Sequence, residues 1–412
     1  MKLVLKNVGI IESASIDLNG LTVIAGNNDT GKSTVGKIAY SLTKAYEDFE
    51  VETEREKNRI IARLLREVYT TVRADISFIN QPKIREFFHR VDFFGRRTSK
   101  NIPQIIDEGR IIIEKEKIGK DIKNKVLELF NNIETVYKRQ EAKNIKIITF
   151  LNRILMSEFK NQIINLGFNT GEIEVYDGES KIITFMIKEG KNSVDLKDQI
   201  FPFESSTFIE TPFILTYKDI FDDVEEIRQE IYHLDDLLKK MKNSAVYNEK
   251  EESGISKIIE GNIIFDEKTD SFEFKKKVKD KLINIDIMNV ASGIKNFGLL
   301  QLLERSGEFK KKTLLIIDEP EVHLHPDWQV EYAKVLVSLV KRGVRVLVTS
   351  HSPYLIEALS KYSKEAGLTE KTRFYLAEKT ENGNAVIKDK TKDKDEIFEK
   401  LSKPFERLIF EE

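Results

Sequence analysis

The 412-residue chain contains no cysteine, which excludes disulfides, thiolate catalysis and Cys-ligated zinc or iron–sulfur sites. A reducing, intracellular compartment is the simplest fit. Long apolar runs are also missing, and none approaches the roughly eighteen residues of a membrane span. The opening MKLVLKNVGIIESASIDLNG alternates charge and hydrophobicity, without the apolar core or small-residue cleavage site of a signal peptide. Nor is one charge in excess: 67 Lys+Arg stand against 69 Asp+Glu, a net of −2, which excludes a generally basic nucleic-acid binder but not a local basic patch. Together these absences predict a soluble, cytoplasmic protein. What the chain does have is 40% hydrophobic residues, enough for a sizeable core, and a length suited to about two or three domains.

Patterning divides the chain into four segments, 1–46, 47–168, 169–285 and 286–412. The first reads as strands at 2–8, 13–18 and 21–25, the last running into a glycine-bounded loop and then a helix from near Lys32. From about 47 to 165 the pattern is one of long, charge-laced amphipathic helices, with Pro82 and Pro103 as breaks. Next come a hairpin, EIEVY and KIITFMI joined by DGES, an apolar strand at 206–215, a charged helix at 224–241 and a second hairpin in IIEGNIIFDEKTDSFEF. After residue 289 an α/β pattern sets in. It has a helix from about Lys295, buried strands at 314–317 and 344–348, a helix after Pro326 with Gly343 at its C-terminal cap, strands near 373–376 and 385–388, and a final helix. The fold class expected is α/β.

Three motifs carry chemistry. Gly26-Asn27-Asn28-Asp29-Thr30-Gly31-Lys32-Ser33-Thr34 fits G-x-x-x-x-G-K-S/T between a strand and a helix, the context this pattern needs. Its glycines let successive N–H groups point at phosphate oxygens, Lys32 reaches the β- and γ-phosphates, and the Ser33 hydroxyl suits Mg²⁺. Leu314-Leu315-Ile316-Ile317-Asp318-Glu319-Pro320 is a buried strand ending in two acids, Asp318 as the Mg²⁺ partner and Glu319 as general base on the attacking water. Val346-Leu347-Val348-Thr349-Ser350-His351-Ser352-Pro353 is another buried strand. It places His351 at the γ-phosphate edge and offers Ser352 and Pro353 as cap and first residue of a helix.

The order GNNDTGKST, then Ala291-Ser292-Gly293, then LLIIDEPEVHLHP, then VTSHSP resembles the ABC-type (AAA) ATPase heads of the structural-maintenance-of-chromosomes, RecF and overcoming-lysogenization-defect (OLD) group. More closely it resembles the stand-alone ATPase subunits of bacterial anti-phage systems such as Septu and PARIS. The resemblance implies a P-loop NTPase head with ATP and Mg²⁺ as cofactors. Residues 1–46 would carry Walker A, 47–168 a helical insertion, 169–285 a mixed α/β return to the head, and 286–412 the signature, Walker B and the switch histidine. Ser292 and Gly293 match the signature, which in the family reaches the γ-phosphate held by a partner copy, so a homodimer or higher homo-oligomer is implied, with no membrane. His351 matches the switch histidine.

Departures from the family pattern matter. ASGIK instead of LSGGQ argues against a transporter subunit and leaves Lys295 as an extra phosphate contact; EVHLHP replaces the segment with the D-loop aspartate. Gln81, Gln104, Gln140, Gln162 and Gln199 leave the Q-loop unassigned. The short stretch after His351 leaves no room for an appended nuclease, so a separate effector, nuclease or toxin, is expected. Rival readings are a RecF-like DNA-repair clamp and a nucleotide-stabilised scaffold with negligible turnover.

Other features have two explanations each. In residues 83–100, Lys83, Arg85, Arg90, Arg96, Arg97 and Lys100 interleave with Phe87, Phe88, Phe93 and Phe94. They suit DNA contact through the helical insertion, but a helix with a phenylalanine core face and a solvated basic face gives the same composition. Glu321, His323 and His325 form a candidate metal cluster that packing and capping near Pro326 also explain. Trp328 reads as a packing residue, and Lys275-Lys276-Lys277-Val278-Lys279 as a solvated strand edge.

Overall fold

The computed structural model describes residues 1–74, 82–90, 101–116, 118–160, 162–165, 167–188, 193–197, 200–216, 218, 231–246, 254–279 and 281–410. Strands β1 (Lys2–Val8), β2 (Ile11–Asp17) and β3 (Leu21–Gly26) open the chain. Leu3, Leu5 and Val8 of β1 point inward while Lys2 and Lys6 point out, the period of a half-buried strand. All six residues of β3 are buried, as befits a strand covered on both faces. Helices α1 (Lys32–Arg73), α2 (Pro82–Arg90), α3 (Ile102–Lys115), α4 (Lys120–Lys138) and α5 (Lys143–Phe159) follow. Pro82 and Pro103 sit in first turns, where a missing N–H costs nothing.

Then come β4 (Thr170–Asp177), β5 (Ser180–Lys188), β6 (Ser193–Leu196), β7 (Ser205–Ile209), α6 (Tyr232–Lys242), α7 (Gly254–Ile258), β8 (Asn262–Asp266), β9 (Ser271–Val278) and β10 (Lys281–Asp286). The chain continues through α8 (Ser292–Arg305), β11 (Thr313–Asp318), α9 (Pro326–Lys341), β12 (Arg345–Ser350), α10 (Pro353–Glu365), β13 (Thr372–Lys379), β14 (Ala385–Asp389) and α11 (Asp395–Phe410).

The chain divides into two compact units, Met1–Glu47 with Leu151–Glu412, and Asp48–Phe150. The first holds an eleven-stranded sheet in the order β6-β5-β4-β1-β2-β14-β13-β3-β12-β11-β7. Five neighbours, β13, β3, β12, β11 and β7, run parallel. Their buried side chains, such as Val23, Leu315, Ile317, Val346 and Val348, join Phe297, Leu300, Tyr332 and Leu336 from α8 and α9 in one core. This is the α/β P-loop fold expected from the sequence. No described helix is long and apolar enough to cross a membrane.

In the second unit, Ile61, Leu65, Val68 and Val72 line one face of α1 at helical spacing. They pack with Ile84, Phe87, Ile106, Ile113, Val126 and Phe130. Gly109 has no side chain because one would strike the Phe130 ring at 2.4 Å. Phe87, 2% exposed, is therefore core and not a stacking platform, while Lys83 and Arg85 beside it are exposed. Phe93, Phe94, Arg96, Arg97 and Lys100 lie outside the described residues, as do the side chains of Phe88 and Arg90.

Two expectations are corrected, and a third is covered only in part by the described residues. The strand placed at 206–215 ends at Ile209, because Pro212 has no N–H for a ladder and starts a 3₁₀ turn, Pro212–Leu215, capped by Thr211. Of the charged helix placed at 224–241, the described part is helical, Tyr232–Lys242, and residues 224–230 lie outside the described residues. The lysine run is not an edge: β9 is the middle strand of a separate sheet, β10-β9-β8, because β10 returns alongside it. A local pattern carries no information about that extra neighbour.

Candidate functional site

Register builds the site. Ala25 pairs with Ser350, Asp318 with Thr349, Ile317 with Ile209 and Gly26 with Ala377. The C-terminal ends of five parallel strands therefore lie along one edge, where open α/β sheets gather ligands. That edge receives Gly26, Asp318, Glu319, His351 and Glu210.

At the end of β3 the backbone curls through Gly26 (φ 153°), Asp29 (φ 58°) and Gly31 (φ 80°). A Cβ on Gly26 would lie 2.4 Å from the Ala377 carbonyl oxygen of the neighbouring strand. Gly26→Ala should therefore cost about 1–3 kcal/mol of stability. A denaturant curve overlaying the wild type would remove this account of the position. Thr30 Oγ1 donates to the Asn27 carbonyl at 2.8 Å, and Lys379 reaches Asp29 at 2.5 Å. The loop is thus tied on both sides before α1 starts at Lys32.

Lys32 is 3% exposed, and its ammonium donates to the carbonyls of Gly26 (3.1 Å) and Asn27 (2.9 Å) and pairs with Glu319 Oε1 at 3.2 Å. Ile10, Asn28, Asp29, Thr30, Gly31, Ser33, Thr34 and Glu319 line the cleft around it, of about 440 Å³. Asp318 accepts a hydrogen bond from the Thr349 hydroxyl, and the Ser33 hydroxyl stands near enough to favour its charged form. Burial pushes its carboxyl above the usual range, the charges of Glu319 and Glu210 add to the rise, and the two hydroxyls oppose it. A half-buried carboxylate beside two others, near a serine hydroxyl at a helix N-terminus, suits a divalent cation held by Ser33 and Asp318.

Glu319 adopts left-handed φ 44°, ψ 54°, a conformation that costs energy outside glycine and concentrates at functional sites. Its N–H is held by the Thr349 hydroxyl at 3.1 Å and the Thr349 carbonyl at 3.2 Å. His351 Nδ1 lies 3.7 Å from Glu319 Oε1 and 3.3 Å from Glu321 Oε1. Lys32, Ser33, Asp318, Glu319 and His351 are thus brought together from three strands.

Ser292 and Gly293 do not line that cleft; they begin α8. A Cβ on Gly293 would meet the Trp328 ring at 3.0 Å and the His323 carbonyl at 3.3 Å, so glycine lets the helix start pack closely. Trp328 packs edge-on against Phe297, with centroids 5.5 Å apart. Lys295, offered as a phosphate contact, is instead buried with its ammonium on Thr216 Oγ1 at 2.9 Å. His325 caps α9 by accepting from the Asp327 N–H at 3.3 Å, and His323 packs on Phe213. Among the described residues no group could hold a metal through three or more His, Cys, Asp or Glu side chains. Ser352 precedes α10 but makes no side-chain cap, since its hydroxyl donates to Gln329.

Sequence reasoning gave no role to Thr349, Lys379 or Glu210, and offered Glu321 only as a metal ligand. Thr349 and Lys379 bond Asp318 and Asp29 across strands, and Glu321 braces the His351 loop. Glu210, at the end of β7, pairs with His233 at 3.1 Å and Lys37 at 3.7 Å, and the His233 hydrogen bond holds its carboxyl below the usual range. Only the acid after an apolar run, FIE, marked Glu210 locally.

Solved structures similar to the chain include an SMC head bound to the C-winged helix domain of ScpA. It shows 11% identity and a TM-score of 0.44, covering 96% of this chain and 98% of that one. The SMC head domain from Thermotoga maritima shows 11% identity and a TM-score of 0.39, covering 94% and 97%. The Smc head domain with an extended coiled coil from Pyrococcus furiosus, bound to the C-terminal domain of ScpA, shows 11% identity and a TM-score of 0.34, covering 99% and 98%. No curated protein matches. The model of the AAA ATPase domain family matches residues 1–356 of the 412, with the glycine loop, the paired acids and the strand before His351 all inside the match, and the chain belongs to that family.

Proposed function

We propose that the protein is a Mg²⁺-dependent ATPase that works as a molecular switch in the cytoplasm, the sensor or regulator subunit of a bacterial anti-phage system with a separate nuclease or toxin effector. The observation that carries the ATPase reading is the convergence of Lys32, Ser33, Asp318, Glu319 and His351 at the ends of β3, β11 and β12. Mg²⁺ supplies charge neutralisation on the phosphates when bound. The chain does the rest. Loop N–H groups cradle the phosphates, Lys32 exchanges the Gly26 and Asn27 carbonyls for phosphate oxygens, and Ser33 and Asp318 hold the cation. Glu319 takes the proton of the attacking water, and His351 faces the γ-phosphate.

Ser292 and Gly293 of one copy would close over the nucleotide of the other. Exposed Phe213, Met288, Val322 and Tyr354 support such a partner, each standing three or four residues from Glu210, Ser292, Glu319 or His351. The defence role rests on the motif order in the sequence.

Lys32→Ala should weaken ATP binding by about tenfold or more, the worth of a lost charge-assisted hydrogen bond. Calorimetric titration on a folded variant checks this, and unchanged affinity would remove Lys32 from the phosphate site. For the biological role, a Glu319→Gln protein trapped with ATP should retain a nuclease, toxin or phage protein on pull-down from its host. Recovery of replication or repair proteins on DNA alone would replace the defence reading with a RecF-like clamp.

A further inference from the structure

We propose that Glu321 is a positioning residue for turnover: it holds the loop after β12 and fixes the His351 ring beside Glu319. The proposal rests on the reading of this site as an ATP-hydrolysing centre.

Glu321 follows the paired acids in the 3₁₀ turn Pro320–His323, and its side chain is 3% exposed. One oxygen, Oε1, accepts from Ser350 Oγ at 2.7 Å, the His351 N–H at 2.7 Å and the Ser352 N–H at 3.2 Å. The Ser352 N–H also donates to Ser350 Oγ at 3.0 Å, and Ser352 Oγ donates to Gln329 Oε1 at 2.5 Å. Gln329 in turn donates to the Leu324 carbonyl at 3.0 Å. The loop carrying His351 is thereby stitched to the segment carrying Glu319, although the two belong to different strands.

The ring faces the same acids. Nδ1 of His351 faces Glu321 Oε1 at 3.3 Å and Glu319 Oε1 at 3.7 Å. An N–H on Nδ1 would be attracted to both acids and would leave the Nε2 edge for the nucleotide. The second Glu321 oxygen, Oε2, is buried with no hydrogen-bond partner. A glutamine would supply the same accepting oxygen to the loop with less desolvation. The charge that a glutamate adds has one evident use here, attraction to the imidazole N–H.

The test compares wild type with Glu321→Ala, Glu321→Gln and Ser350→Ala. It reads amide hydrogen exchange over residues 349–352 without nucleotide, affinity for a non-hydrolysable ATP analogue, and kcat with KM. Glu321→Ala should expose the His351 and Ser352 amides and lower kcat by about tenfold to a hundredfold, the cost of a misplaced group, with analogue affinity nearly unchanged. Glu321→Gln should keep the amides protected yet give an intermediate kcat, which a purely structural role would not produce. Should Glu321→Ala fail to fold, Ser350→Ala removes one donor to Oε1 and should also speed exchange and lower kcat.

Protected amides or wild-type kcat in Glu321→Ala would overturn the proposal, and so would a Glu321→Gln enzyme indistinguishable from wild type. A wild-type protein that binds ATP without hydrolysing it would sink the hydrolytic reading and the proposal's claim on turnover; amide exchange would still decide the clamp.

Discussion

Glu319→Gln should cut ATP turnover by about a hundredfold or more, the usual worth of a general base, while ATP remains bound. The two side chains have the same shape, and the hydrogen bonds that fix the backbone of residue 319 come from its N–H to Thr349, which the substitution leaves in place. What disappears is the proton acceptor and the charge facing Lys32 Nζ at 3.2 Å. Losing that ion pair releases Lys32 toward the phosphates, so affinity should hold or rise. Single-turnover hydrolysis and equilibrium binding on the same preparations check both halves. Equal hydrolysis rates in the two proteins would show that Glu319 is not the base, and equally poor rates would favour a nucleotide-stabilised scaffold.

His233→Leu should destabilise the first unit by about 3–5 kcal/mol, the range for removing one partner of a buried ion pair. The imidazole is fully buried between Glu158 Oε2 at 2.7 Å and Glu210 Oε2 at 3.1 Å, with Phe208 and Tyr40 packed on it. Glu158 also accepts the His233 N–H at 3.1 Å, and its side chain is 0% exposed. Leucine would leave that carboxylate buried without its cation.

Burial alone would lower the His233 pKa, but hydrogen bonds and charge from Glu158 and Glu210 outweigh it and push the group up to about 9. The folded value thus lies above the unfolded one of about 6.5. The stabilisation is fully present below about pH 6.5 and is lost as pH rises through about 9. The stability gap between wild type and variant should therefore narrow between those values. Denaturation at pH 6 and pH 9.5 checks this, and a constant or widening gap would mean that His233 is neutral in the folded protein.

The glycine loop was legible because its chemistry is contiguous: Gly26, Gly31, Lys32 and Ser33 act through one turn and one helix start. The strands ending at Asp318 and Ser350 were legible for a related reason. An apolar run bounded by polar residues predicts a strand buried on both faces, and the residue after it falls at the sheet edge. The second hairpin, β8 with β9, likewise follows from alternation and a turn signal.

Tertiary structure alone decided the partners. The Thr349 hydroxyl serves Asp318 because β11 and β12 are parallel neighbours in one register, and register depends on the whole sheet. Glu321, offered by the sequence as a metal ligand, turns out to brace the His351 loop, a contact across 29–31 residues of chain. Lys295 looked free for a phosphate until the fold placed Thr216, 79 residues away in sequence, on its ammonium. His233 carried no signal at all, since what makes it matter is two acids, 75 and 23 residues distant. Period and spacing encode which element forms and which side chain leaves its end; hydrogen-bond range is about 3 Å in space and has no fixed separation along the chain, so only packing reveals which groups meet.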